Sequence, residues 1–223
     1  MPRIARVVAA NYPHHVTQRG NNRADVFFDD EDRHCYLQIL QRYSGKSETS
    51  IWAYCLMSNH VHLLVVPKKA ESLAMCIGRT NLTYTQYINR KYKKSGRLWQ
   101  NRFFSTTVDT DQYLWAAVRY IELNPIKAHL VKEPQNYDWS SCRFTLGIKR
   151  NSLVRTHEWL NNTDRTEYIK FLGQTDTKTE AKIRQATSTG RPLGDDTFLK
   201  KLEKNLSRQL LRKKAGRPRK SIK

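Results

Sequence analysis

Two histidines one residue apart, His60-Val61-His62, are the first residues whose spacing could do chemistry. On a strand, residues i and i+2 project from the same face, so both imidazoles stand side by side while Val61 turns inward. Adjacent neutral imidazoles are a seat for a divalent cation. Two histidines that only hydrogen-bond to their surroundings share this spacing, so the pattern alone leaves both readings open. The second constellation is Tyr120-Ile121-Glu122-Leu123-Asn124. On a helix, Tyr120 and Asn124 lie one turn apart on one side. The apolar stripe Leu114, Ala117, Val118 and Ile121 sits about 100° around the helix from Tyr120. A phenol at that flank reaches a cleft and is a candidate nucleophile. Taken alone, the motif favours a half-buried structural tyrosine, and Tyr113, one heptad earlier, competes for the role. Asn124 precedes Pro125, which biases it away from helical geometry, and its amide oxygen is a candidate third ligand.

The third constellation is Asn89 to Phe104, NRKYKKSGRLWQNRFF, with six Lys/Arg, no acid, and Tyr92, Trp99, Phe103 and Phe104 interleaved. Cations that track phosphates beside aromatic faces that stack on bases describe a single-strand binder. Burial of Trp99 and Phe103 in a core, with the cations merely solvated, describes the same letters. Arg19-Gly20-Asn21-Asn22-Arg23 adds a glycine turn rich in donors for phosphates or base edges.

These residues need elements to hold them. His14–Arg19 reads as a strand stopped by the turn at Gly20. Asp29 to Asp32 place acids where a helix N-terminus favours them, and Tyr36, Leu37, Leu40 and Tyr43 follow at helical spacing. Ile51–Met57 and His60–Val66 form a hairpin across Ser58-Asn59. Leu73, Ile77, Tyr84 and Ile88 mark a long helix ended by Ser95-Gly96. Leu98–Thr107 alternates as a strand, and Asp109 is placed to cap the helix that carries Tyr120. The order βαββαβ is the split βαβ order of a ferredoxin-like antiparallel sheet, an α+β fold with helices on one face and the other open for a ligand. A basic helical appendage follows. The expected organisation is residues 1–131 for the site-bearing domain, 132–177 for a helical extension packed on it, and 178–223 for a basic DNA-binding tail.

The charge supports such a partner. Forty Lys/Arg against twenty Asp/Glu give a net charge of +20 over 223 residues. Residues 178–223 alone carry 15 Lys/Arg and 4 Asp/Glu. A polyanion relieves that self-repulsion, and nucleic acid is the first candidate. With 39% hydrophobic residues, the bulk of the chain is not disordered. Its longest apolar run, Leu63 to Val66, falls far short of the roughly 20 residues that span a bilayer. No secretory signal follows Met1-Pro2-Arg3-Ile4, so a cytoplasmic, nucleoid-associated protein is expected. Cys35, Cys55, Cys76 and Cys142 show no metal or disulfide spacing and read as free thiols.

Together HVTQRGNNR, SNHVHLLV, GRLWQNRF and RYIELNP, in that order over roughly residues 12–145, resemble the REP-associated tyrosine transposases of the single-tyrosine HUH superfamily. The resemblance implies metal-dependent cleavage and rejoining of single-stranded DNA at REP palindrome hairpins through a 5′-phosphotyrosine. It implies Mg²⁺ or Mn²⁺ at His60 and His62, with Asn124 completing or orienting the site, and Tyr120 as nucleophile. Gln18, Arg19, Asn21, Asn22, Arg23, Arg97, Trp99, Gln100 and Arg102 are the DNA-contacting candidates of the domain. Arg191, Arg217 and Arg219 are those of the tail, where Gly216-Arg217-Pro218 is similar to a minor-groove hook. A monomer and a homodimer both fit, as does a hairpin-binding regulator that has lost its chemistry.

Overall fold

The computed structural model describes residues 6–150 and 152–210. Strand β1 (His14–Arg19) is followed by α1 (Asp30–Lys46), β2 (Thr49–Leu56), β3 (His60–Pro67), α2 (Ala70–Lys91) and β4 (Phe104–Thr107). The strands form one sheet in the order β2-β3-β1-β4, and every pairing is antiparallel. This is the expected α+β, ferredoxin-like arrangement.

Local chemistry accounts for the elements. Asp29 caps α1 by accepting from the Asp32 amide at 2.8 Å, and the acids of the first turn complement the helix dipole. The two crossover helices α1 and α2 cover one face. There Tyr36, Leu40, Leu73, Ile77, Tyr84 and Ile88 pack on Val16, Val61, Leu63 and Val65, all 0–1% exposed. Gly20 ends β1 where only glycine fits, because a Cβ there would lie 2.1 Å from the Ala24 carbonyl oxygen.

The second face departs from expectation. It is not open along its length. Helix α3 (Leu114–Glu122) lays Leu114, Ala117, Val118 and Ile121 against Ala53, Cys55 and Leu64. The short α4 (Asn124–Lys127) follows α3, and α5 (Cys142–Thr145), α6 (Asn162–Leu172) and α7 (Thr177–Thr189) complete that layer. The pattern of β3 accounts for this: Leu64 and Val66 share a face with His60 and His62 and require a cover. The histidine end of the face opens into a cleft.

The region expected to be a basic tail is, up to residue 210, packed on the sheet domain. Leu193 bridges Val108, next to β4. Helix α8 (Asp196–Leu206) buries Phe198 and Leu202 with Val7, Ala9 and Leu210. Gly190, in the left-handed conformation at φ 72°, ends α7. Arg217 and Arg219 lie outside the described residues.

Two boundaries differ for identifiable reasons. The expected strand over 98–107 forms only from Phe104, because Asn101 adopts a left-handed φ of 57° and Gln18 draws the Gln100 and Asn101 carbonyls toward its amide. Asp109 does not cap α3. Its carboxylate accepts from the Asp111 amide, and the helix begins at Leu114. All four cysteines are free thiols. Among the described residues no helix is long and apolar enough to cross a membrane.

Candidate active site

Register brings the site together. On β1 and β3, Thr17 pairs with His62 and Arg19 with His60, so these four side chains share one face. Phe104 joins them opposite Thr17. From above, α3 presents Tyr120, whose ring meets His62 edge-on at a centroid distance of 5.8 Å. His60 and His62 lie 5.1 Å apart by the same measure. The result is a cleft of about 350 Å³ lined by Thr17, Gln18, Arg19, His60, His62, Gln100, Phe104, Tyr120, Arg184, Thr187 and Ser188, with no carboxylate among them.

Tyr120 is half-buried, and its hydroxyl has no hydrogen-bond partner among the described residues. The Lys127 ammonium lies 4.6 Å from its ring centroid and pairs with Glu180 at 2.8 Å. Tyr113, the competing tyrosine, opens onto a different cleft, where its hydroxyl accepts from Lys182 at 3.4 Å.

The imidazoles are kept uncharged. Burial lowers His60 to about 4, with the Arg19 charge adding to the effect. Burial also holds His62 well below its ordinary value, with His15, His60, Arg19 and Lys127 contributing. Neutral imidazoles are what a cation requires. Asn124 departs from its expected non-helical geometry: Leu123, with near-helical backbone angles, joins α3 to α4, and Asn124 opens α4. Its Nδ2 donates to the carbonyls of Tyr120 and Ile121 at 2.7 and 3.3 Å, which leaves its Oδ1 as the acceptor not used in that turn.

Asn124 does not line the cleft that holds the two imidazoles, and among the described residues no three His, Cys, Asp or Glu gather around one point. Two neutral imidazoles fit a cation that keeps several waters and takes further oxygens from a phosphate.

The DNA-contacting candidates divide. Gln18, Arg19 and Gln100 line the cleft with the histidines. Gln18, Arg97, Trp99 and Arg102 line a second cleft of about 920 Å³ beside α2, together with Arg6 and Asn101. Trp99 is a correction: at 7% exposure it packs with Tyr36 and Tyr84, and its indole donates to the Asn81 carbonyl, so it offers no free face for stacking. Phe103 is buried likewise. Lys91, from the same stretch, is held by Asp29, Glu31 and Asp32. Arg191 lies away from the histidines and donates to the Leu210 carbonyl. Asn21, Asn22 and Arg23 form an exposed turn whose Arg23 carbonyl accepts from Asn59.

Several site residues escaped the sequence reading. His15 contacts His62, and Arg184, Thr187 and Ser188 reach the cleft from α7. For His15 the signal was present, since it shares strand parity with Thr17 and Arg19. Nothing in the sequence placed α7 against this end of the sheet.

Comparison with known proteins follows the same geometry. A family model described as the IS200-like transposases matches residues 8–124, more than half of the chain. The chain belongs to the IS200-like transposase family. Among solved structures, a REP-associated tyrosine transposase bound to a REP hairpin aligns with a TM-score of 0.58 at 15% identity, over 80% of this chain and 96% of that one. At that identity the likeness concerns the fold. A second structure, assigned as a transposase from Deinococcus radiodurans R1, aligns with a TM-score of 0.39 at 16% identity, over 57% and 97%. Comparison with curated protein sequences gives no match. In this IS200-like transposase the matched segment ends at Asn124, so α7 and its three cleft residues lie beyond it.

Proposed function

We propose that this chain cleaves and rejoins single-stranded DNA beside palindromic hairpins of the REP class, with Tyr120 as nucleophile. The observation that carries the reading is the meeting of one unengaged phenol with the His60–His62 pair in a single cationic cleft. The hairpin preference follows from the solved relative, whose partner is a REP hairpin. An unpaired strand beside a stem can be splayed so that its phosphate enters the cleft.

In this mechanism Arg19 and Arg184 hold phosphate oxygens from the two sides of the cleft. The Tyr120 oxygen attacks phosphorus in line. Its bond to phosphorus forms as the bond to the 3′ oxygen breaks; the phenol proton leaves to solvent and the departing 3′ oxygen takes a proton from solvent. The products are a 5′-phosphotyrosine and a free 3′-hydroxyl. Because the covalent link conserves the phosphodiester, a 3′-hydroxyl can reverse the step without ATP. His60, His62 and Asn124 would hold Mg²⁺ or Mn²⁺, which when bound supplies charge to the scissile phosphate and orients it. The second cleft, with Arg97 and Arg102 in its lining, would take the flanking strand.

The test is incubation of the protein with hairpin oligonucleotides bearing single-stranded flanks and Mn²⁺, scored for covalent adducts on a denaturing gel. Tyr120→Phe and His60→Ala should abolish the adduct while hairpin binding persists. A Tyr120→Phe protein that still forms it refutes the assignment. Hairpin binding with no cleavage under either metal, indifferent to His60→Ala, establishes the silent regulator instead.

A further inference from the structure

The two histidines of the site are pinned on their inner nitrogens by different partners, and the proton count along each contact has one solution. The Thr187 hydroxyl donates its single proton to the Ile183 carbonyl at 2.8 Å. It therefore accepts from His15, whose Nδ1 lies 3.0 Å away. A neutral His15 with its proton on Nδ1 has a bare Nε2. That nitrogen lies 2.9 Å from His62 Nδ1 and accepts its proton. His62 is left with an unprotonated Nε2. Both rings are deeply buried, at 1% and 7% exposure, and stacked 5.2 Å apart with planes 15° from parallel, so neither is free to turn.

His60 reaches the same state by another route. Asn59 donates from Nδ2 to the Arg23 carbonyl at 3.0 Å, which fixes the orientation of its amide. Its Oδ1 then faces His60 Nδ1 at 2.6 Å and accepts the proton there. His60 is also left with an unprotonated Nε2.

We propose that His15 and Asn59 are positioning residues of this site, holding His62 and His60 in the Nδ1–H tautomer that leaves each Nε2 lone pair available to a divalent cation. The inference rests on the metal-binding reading above and deepens it. Partners on the second nitrogen of a ligating histidine set its tautomer and ring orientation, and their loss typically weakens metal binding 10- to 100-fold. Here those partners are an imidazole and an amide instead of the carboxylates often found in that role. The chain Ile183–Thr187–His15–His62 begins on α7, beyond the segment that the family model matches, so the C-terminal helical layer helps to set the site.

The test uses the full chain without DNA. Nitrogen-15 NMR of the histidine rings reads tautomers directly in metal-free protein. The proposal expects protonated Nδ1 and bare Nε2 at both His60 and His62. His15→Phe keeps a buried ring against His62 and removes its hydrogen bonds. It should leave His62 as a mixture of tautomers and weaken Mn²⁺ binding, followed by electron paramagnetic resonance of the free ion, about 10-fold or more. His15→Gln, whose side-chain oxygen can accept from His62, should recover most of the affinity. Hairpin binding without metal should be unchanged in both variants, which shows that they are folded. Protonated Nε2 at His60 or His62 in the unsubstituted protein overturns the proposal, as does His15→Phe binding Mn²⁺ as tightly as the unsubstituted protein. Wild-type Mn²⁺ binding that survives His62→Ala defeats the metal-site reading instead, and the tautomer spectrum then decides the inference by itself.

Discussion

Glu122 sets the sharpest test of the packing that holds Tyr120. It sits two residues along α3, fully buried, and accepts from Ser141 at 2.7 Å, Thr145 at 2.6 Å and Tyr168 at 3.1 Å. Burial raises its carboxyl from 4.5 to about 7, even though those hydroxyls favour the charged form. The native state therefore holds this proton more tightly than the unfolded chain does. The contribution is most favourable below pH 4.5, declines as the pH rises to about 7, and is level above that. At about 1.4 kcal/mol per tenfold difference in proton affinity, the full loss is about 3 kcal/mol. Glu122→Gln keeps the shape and gives an amide that the three surrounding hydroxyls can satisfy. Denaturant unfolding of both proteins across pH 5 to 8 measures the effect. The variant should nearly match the parent at pH 5 and exceed it by about 3 kcal/mol at pH 8, roughly 6–12 °C in melting temperature for a chain of this size. A difference that stays flat across that range refutes the reasoning. Subtraction is needed because the buried histidines act with the opposite sign.

Those histidines give a second prediction. His14 and His15 are lowered to about 4 by burial, so their contribution is fully present above pH 6.5 and lost as the pH falls toward 4. His14→Gln should flatten the acid limb of the unfolding profile, and an unchanged limb would contradict the assignment. Trp99→Leu should lower stability by about 1–3 kcal/mol, while its hairpin affinity, measured on folded protein in the cold, stays within threefold; stacking on a base would lose more. Arg19→Ala and Arg184→Ala should each reduce the slope of log affinity against log salt by about 0.7 for single-stranded DNA, read from titrations at several salt concentrations. An unchanged slope removes that arginine from the phosphate path.

Much of the molecule was readable from residue types and spacing. The period-two patterns of β1 and β3 placed His60 and His62 on one face, and the stripe on α3 placed Tyr120 at its flank. Those signals are local and survive without tertiary knowledge. What was not readable depended on packing between distant segments. The letters of GRLWQNRF are equally those of a core and of a DNA groove, and Trp99 was decided by its fit beside Tyr36 and Tyr84. The cover over the second face was half visible, in Leu64 and Val66. The identity of its helices was not, because α6 and α7 show little apolar contrast between their faces. The buried Arg119, which donates to the carbonyls of Phe171 and Gln174 and stacks on the Phe171 ring, reads in sequence as an ordinary surface cation. The HHVTQRGNNR segment carries one more lesson. Its Gly20–Arg23 turn, read as a nucleic-acid contact, also supplies the carbonyl that orients Asn59 beside His60.

The most direct measurement is peptide mapping of the covalent adduct. Protein trapped on a hairpin substrate with Mn²⁺ would be digested with nuclease and protease, then sequenced by mass spectrometry. The account predicts a nucleotide linked through its 5′ phosphate to the peptide that carries Tyr120. Linkage at Tyr113, or cleaved DNA with no protein attached, would contradict it.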